Sequence, residues 1–453
     1  MTRIQADDAL RILRRYPRSS SAELCRRLDI DRSTLSRTLQ RLGSQVLSAG
    51  ATRRIRYAAR RALRGQAAPV PVYRVDREGR GHEAGQLSLV DPDGTLYPPP
   101  PDFAWPLQGE SRDGWFAGLP YPIFDMRPQG FLGRGLAAAL GGDLGVSADP
   151  TRWTDDDIIH VLAAIGADQP GDLIVGERAY RRFLDGRRAG ADRFVADERL
   201  EAEYLRLAEE AVSRGVVASS AAGEFPKFTS SRVAGDRRFD VIVKFSGKDA
   251  SPAVRRWSDL LVCEHLATEV MRRTLGVATA ESTIHRFGSR TFLEVVRFDR
   301  HGDFGRSPVC TLEAINADLL GSSDTAWTAC ARRLLDDQWI ERSVAEAIAR
   351  IWWFGRLVGN SDMHLGNLAF RPGLQLAPVY DMLPAMYAPL PGGEVVTREF
   401  APDLPLPAEA PAWRDAAAAA AEYWRVCAED VRIGAGFRRV CAANAEAVRK
   451  IVQ

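Results

Sequence analysis

Apolar residues at helical spacing open the chain. Ala9, Leu10, Ile12, Leu13 and Tyr16 place one face on a helix over residues 6–16, which Pro17 stops. Ser20 or Ser21 then caps a second short helix with Ala22, Leu24, Cys25 and Leu28 inward. After the turn Asp29-Ile30-Asp31, Leu35, Leu39 and Leu42 predict a third helix from about Arg32 to Leu42, ended by Gly43. Val46-Leu47-Ser48, the turn Ala49-Gly50-Ala51-Thr52 and Arg53-Arg54-Ile55-Arg56-Tyr57 read as a β-hairpin. Three helices and a hairpin resemble a winged helix-turn-helix.

Residues 66–75 read as an Ala/Pro/Val linker. Over 72–135 short strand-like pieces alternate with turn signals and the run Pro98 to Pro101, which predicts a small β-rich domain. From Thr154, a cap ahead of three acids, the pattern turns helical until about Gly215. Residues 216–300 read as strands with one intervening helix, Leu260 to Met271, and helices dominate from 310 onward.

Composition narrows the class. Of 453 residues 45% are hydrophobic and 26% charged, as in ordinary globular proteins. No apolar run is long enough to cross a membrane, and the acidic N-terminus lacks a signal-peptide pattern, so a cytoplasmic chain is expected. Six scattered cysteines without a C-x-x-C pair suggest reduced thiols rather than disulfides or a zinc site.

The net charge of +2 conceals an asymmetry. Residues 1–65 carry sixteen Arg and five acids, +11, and the remainder 45 basic and 54 acidic groups, −9. A small basic domain on an acidic body points to a nucleic-acid reader joined to another activity. Double-stranded DNA is the expected partner. Arg32, Ser33, Thr34, Ser36 and Arg37 would face the major groove, and Arg53, Arg54 and Arg56 of the wing would reach phosphate or the minor groove.

Only four of the 61 basic residues are lysines, Lys227, Lys244, Lys248 and Lys450, and only four asparagines occur, Asn316, Asn360, Asn367 and Asn444. Lys and Arg are not interchangeable at a compact phosphate site, so surviving lysines mark places to inspect. Ser219-Ser220-Ala221-Ala222-Gly223-Glu224-Phe225-Pro226-Lys227 could form a loop offering backbone N–H groups to phosphates. Phe239 to Phe245 is an apolar strand with one cation, Lys244, and an apolar strand accepts a lone ammonium only if an anion meets it. Glu264 or Glu269 on the following helix could pair with it, the arrangement protein kinases use. Asp362 and Asn367 stand five apart, the interval between base and metal-binding Asn in a kinase catalytic loop. Fourteen residues later an apolar strand delivers Asp381 as a second metal ligand. Carboxylate, amide oxygen and ATP phosphates suit Mg²⁺.

That order of pieces, spread over about 160 residues, resembles the HipA family of bacterial serine/threonine kinase toxins of toxin–antitoxin systems. The matching stretches are Ser220-Ala221-Ala222-Gly223, Val241-Ile242-Val243-Lys244, Arg297-Phe298-Asp299-Arg300, Gly359 to Asn367 and Pro378-Val379-Tyr380-Asp381. The fused N-terminal domain is similar to the YjjJ-type branch, whereas HipA itself has its DNA-binding antitoxin on a separate chain. The resemblance implies an α+β chain: winged helix-turn-helix at 1–65, β-rich and helical region at 70–215, nucleotide-binding N-lobe at 216–305 and helical C-lobe at 306–453. It implies ATP and Mg²⁺ as cofactors, Asp362 as catalytic base, Asn367 and Asp381 on the metal, and Lys244 on phosphates. Ser220, Gly223, Lys227, Glu264, His364 and Tyr380 would complete the nucleotide site, with adenine meeting the Phe298 backbone. Ser220 would also be an autophosphorylation site. A protein substrate such as an aminoacyl-tRNA synthetase is implied, while an antitoxin and a homodimer stay open. This chain departs from the family at Val296, where Glu is usual, and at Pro226, which removes a loop N–H donor. The other readings are a DNA-binding regulator whose kinase-like body only senses nucleotide, and a small-molecule kinase.

Overall fold

The computed structural model describes residues 4–213 and 225–452. Ser220 and Gly223 therefore lie outside the described residues. The chain divides into two compact units. One comprises Met1–Val75, Arg80–Arg127 and Arg152–Arg188, the other Asp76–Gly79, Pro128–Thr151 and Ala189–Gln453.

In the first unit, helices Ile4–Arg15, Ser21–Leu28 and Arg32–Leu42 bury Leu13, Leu24 and Leu35 against Ala59. Ser20 is the cap of the second helix: its hydroxyl accepts from the Glu23 amide at 3.3 Å, and the Glu23 carboxylate accepts from the Ser20 amide at 2.7 Å. Asp31 caps the third helix by accepting from the Thr34 amide at 2.8 Å. Strands Val46–Ala49 and Arg56–Arg61 pair antiparallel, and Ser19–Ser20 joins the far edge of Arg56–Arg61.

Arg53 and Arg54, expected on the second hairpin strand, lie instead in a 3₁₀ turn, Thr52–Arg54. The chain folds back tightly there. Gly50 sits at φ +103°, and a Cβ on it would come within 2.6 Å of the Arg54 carbonyl. The strand Arg56–Arg61 does not end at a linker: Arg60 and Arg61 pair with Val90 and Leu89. That pairing continues the hairpin into a sheet with Gly81–Val90, Val70–Val75 and Leu173–Val175. Thr154 caps Asp155–Ile165 through a capping box with Asp157. The helical stretch that follows is interrupted by Leu173–Val175 and Phe194–Ala196, strands of three residues and too short for an alternation to register.

The second unit is built on a five-stranded sheet in the order Ser282–Phe287, Arg290–Val296, Arg237–Phe245, Lys227–Ala234, Phe194–Ala196. All neighbours are antiparallel except the last pair. Alternation along Arg237–Phe245 sends Val241, Val243 and Phe245 to one face, where Leu200, Tyr204 and Ala208 of helix Leu200–Ser213 bury them. Lys244 points to the other face, toward helix Pro252–Thr274. The C-terminal part packs helices Trp327–Asp336, Arg342–Leu357, Ala410–Glu429 and Ala435–Val452. The alanine run lies inside the bundle: Ala416, Ala417, Ala419 and Ala420 are buried, and their small side chains let neighbouring helices approach. Five of the six cysteines are buried and all are free thiols. Among the described residues no helix is long and apolar enough to cross a membrane.

Candidate functional site

The strand hairpin brings two of the four lysines together. Lys227 lies directly opposite Lys244 in the register of the antiparallel pair, so both project from the same face. Like charges so placed destabilise a sheet unless anions meet them. Here the anions are carboxylates. Lys244 Nζ donates to both oxygens of Glu264, at 2.7 and 2.8 Å, and to Asp381 Oδ1 at 2.5 Å. Lys244 and Glu264 are 7% and 3% exposed, so the pair is removed from water.

Burial works against the Lys244 charge, but Asp381 and Glu264 outweigh it and hold the ammonium above its usual range. Burial pushes Glu264 up against the pull of Lys244. For Asp381 burial is outweighed by Lys244 and Lys227, which keep it below the usual carboxylate range. Glu269, the other helix candidate, is half exposed and faces His265 at 3.6 Å.

Asp381 arrives differently from the strand expected. Regular pairing covers only Gln375–Leu376, after which Val379 makes a single parallel bridge to Thr279. Asp381 itself sits at φ +57°, a left-handed conformation unusual for a residue other than glycine. That turn aims its carboxylate back at Lys244.

Helix Arg342–Leu357 ends two residues before Gly359, which sits at φ +71°, and the chain opens into the loop 360–367. Asp362 is exposed. Its backbone is fixed from both ends. The Asp362 amide donates to Asn360 Oδ1 at 3.0 Å, and Asn367 Nδ2 donates to the Asp362 carbonyl at 2.7 Å. With its nitrogen engaged, Asn367 has its amide oxygen as the end for a cation. Asn360 Nδ2 also reaches the Asp381 carbonyl at 3.3 Å, so one buried side chain ties the loop to the second acid.

Sequence reasoning assigned Asn360 no role. Its rarity was the available signal, since two of the chain's four asparagines stand in this loop. Asn360→Ala would remove the bonds to the Asp362 amide and the Asp381 carbonyl, each worth about 0.5–1.5 kcal/mol. The melting temperature is expected to fall by several degrees, which scanning calorimetry would measure.

His364 Nδ1 accepts from the Gly366 amide at 3.1 Å, and Tyr380 donates to the Gly366 carbonyl at 2.7 Å. Phe298 and Tyr380 face one another with ring centroids 5.9 Å apart. Phe225, the first described residue after the Ser220 segment, packs on Trp257 at 4.6 Å and lies 5.9 Å from Lys244 Nζ. Among the described residues no group of three or more His, Cys, Asp or Glu is arranged to hold a metal. One carboxylate and one amide oxygen nevertheless fit Mg²⁺, which takes few protein ligands and completes its shell with phosphates and water.

A second candidate surface lies in the first unit. Arg32, Ser33, Ser36, Arg37, Arg53 and Arg54 are exposed, and Thr34 and Arg56 are half-buried. A groove of about 780 Å³ runs between helix Arg32–Leu42 and the hairpin, rimmed by Arg32, Ser36, Arg53 and Arg56. The Asp31 carboxylate accepts from the Thr34 amide and from the Ser33 hydroxyl, and these bonds hold its pKa at about 2. Arg54 meets Asp113 at 3.4 Å.

Known proteins supply the remaining comparison. The family of YjjJ-like toxin middle domains matches residues 66–184, and the HipA-like C-terminal domain family matches residues 219–449. Toxin YjjJ of Escherichia coli (strain K12) is 35% identical over 445 residues, which is 97% of each chain. A chain in the complex of the Shewanella oneidensis MR-1 toxin–antitoxin system HipA, HipB and its operator DNA is 15% identical. Its TM-score is 0.49, with 84% of this chain and 95% of that chain covered. The Helicobacter pylori proinflammatory kinase CtkA is 12% identical, with a TM-score of 0.33, 49% of this chain and 90% of that chain.

Proposed function

The chain belongs to the family of YjjJ-like toxins with a HipA-like C-terminal domain, and from that premise we propose that it is an ATP- and Mg²⁺-dependent serine/threonine protein kinase that restrains growth. The observation that carries this reading is Lys244, buried between Glu264 and Asp381. Such a cation, itself buried, gives a nucleotide's phosphates a partner already fixed in place.

In this reading Asp362 accepts the proton of a substrate hydroxyl, and Asn360 and Asn367 keep its backbone from turning away. Lys244 shifts from Asp381 toward phosphate oxygens. Asn367 and Asp381 would hold Mg²⁺, which supplies charge neutralisation at the phosphates. Phe298, His364 and Tyr380 line the nucleotide pocket. Incubation with γ-labelled ATP and Mg²⁺ is expected to label protein in a soluble lysate. Label confined to small metabolites would replace the protein kinase by a small-molecule kinase.

The first unit supports a DNA-binding role, since three helices and a basic hairpin place Arg32, Arg53 and Arg56 around one groove. Duplex binding should weaken steeply with salt. Removing two phosphate contacts in Arg53→Ala/Arg56→Ala should lower the slope of log K against log salt by about 2, measured by fluorescence anisotropy. An unchanged slope would remove the hairpin from the interface.

A further inference from the structure

Trp327 is fully buried at the head of helix Trp327–Asp336, far in sequence from every residue of the proposed site. A buried indole N–H needs an acceptor. Here it donates to the backbone carbonyl of His364 at 3.1 Å, in the middle of the loop that joins Asp362 to Asn367. The same carbonyl accepts from the Asn367 amide at 3.0 Å, closing the 3₁₀ turn Leu365–Asn367. Both lone pairs of the His364 carbonyl are therefore used, one by the turn and one by Trp327.

The indole is itself held in place. Its ring packs at 5.8 Å on Trp352, from the helix that leads into the loop. The chain before it is closed by Asn316, which exchanges two 3.0 Å hydrogen bonds with the Ser322 backbone. Asp324 then caps the Ala326 amide at 2.9 Å.

We infer that Trp327 is a positioning residue for phosphoryl transfer: its N–H fixes the His364 peptide and thereby the orientation of Asn367 and Asp362. This rests on the kinase reading above. Without the N–H, the turn keeps only its internal bond, and the Asn367 amide oxygen wanders relative to Asp381. The defect should appear in metal use and turnover rather than in nucleotide affinity, because the carbonyl that Trp327 holds closes the turn carrying Asn367.

The test replaces Trp327 by Phe and, separately, by β-(3-benzothienyl)alanine, which keeps the bicyclic shape and lacks only the donor. Both are expected to lower kcat about three- to tenfold, the factor for one neutral hydrogen bond. The free Mg²⁺ giving half-maximal rate should rise with little change in the KM for ATP. Mn²⁺ binding in the presence of ADP, followed by electron paramagnetic resonance, should weaken in parallel. A benzothienylalanine protein with wild-type kcat, Mg²⁺ requirement and Mn²⁺ affinity would overturn the inference, even if Trp327→Phe unfolded. Absence of any transfer by the wild-type protein would overturn the kinase reading, and this inference with it.

Discussion

Lys244→Met is expected to cost both folding and chemistry. The substitution nearly conserves volume, so the loss is electrostatic: Glu264, 3% exposed, keeps its carboxylate and loses its counter-ion. Breaking a buried pair from one side typically costs about 3–5 kcal/mol. For a unit of this size each kcal/mol lowers Tm by about 2–4 °C, which scanning calorimetry resolves. The penalty has a pH signature. Burial already pushes Glu264 up, and without Lys244 only the weaker pull of Lys227 opposes that push. A carboxyl group whose folded pKa lies above its unfolded value favours folding at low pH, and that contribution is lost as pH rises through the folded value. The deficit of Lys244→Met should therefore be largest at pH 8 and shrink toward pH 5.5. A pH-independent deficit would mean that Glu264 is not the group left stranded. Transfer activity should fall about 10²–10³-fold, as when a preorganised charge partner is removed from an active site. Lys244→Arg should not restore it, because a planar guanidinium cannot meet two carboxylates and a phosphate from one compact point.

The order of the chemical residues is written in the sequence; their convergence is not. A lone Lys in an apolar strand announces a partner, yet Glu264 and Glu269, five apart, lie on different faces of one helix. Spacing alone does not say which face meets the strand. The choice depends on how helix Pro252–Thr274 rotates against the sheet, a packing outcome that leaves Glu269 beside His265. Asp381 was legible by its distance from Asn367, but its φ of +57° was not, because no glycine marks the turn. The basic hairpin was legible from two short β-type stretches around the turn Ala49-Gly50-Ala51-Thr52. The displacement of Arg53 and Arg54 into a turn, and the pairing of Arg60 and Arg61 with a strand nearly 30 residues on, come from non-local contacts that a local pattern does not encode. Three-residue strands escaped for the same reason. Trp327 carried no signal at all, since a buried tryptophan reads as core until its N–H is traced to an acceptor.

The proposed role of Asp362 as base in transfer of the ATP γ-phosphate to a hydroxyl is isolated by Asp362→Asn. The amide has nearly the shape of the carboxylate, and the bonds that hold the loop run through the Asp362 backbone, so they survive the change. Melting temperature and nucleotide affinity should stay near wild type while the means of removing the proton is lost, a deficit of about 10²–10⁴ in rate. The decisive measurement is the initial rate of γ-phosphate incorporation into protein, for wild type and Asp362→Asn side by side at saturating ATP and Mg²⁺. Robust incorporation is expected from wild type, and at least a hundredfold less from a folded, nucleotide-binding Asp362→Asn. Equal rates for the two proteins, or none from either, would contradict it.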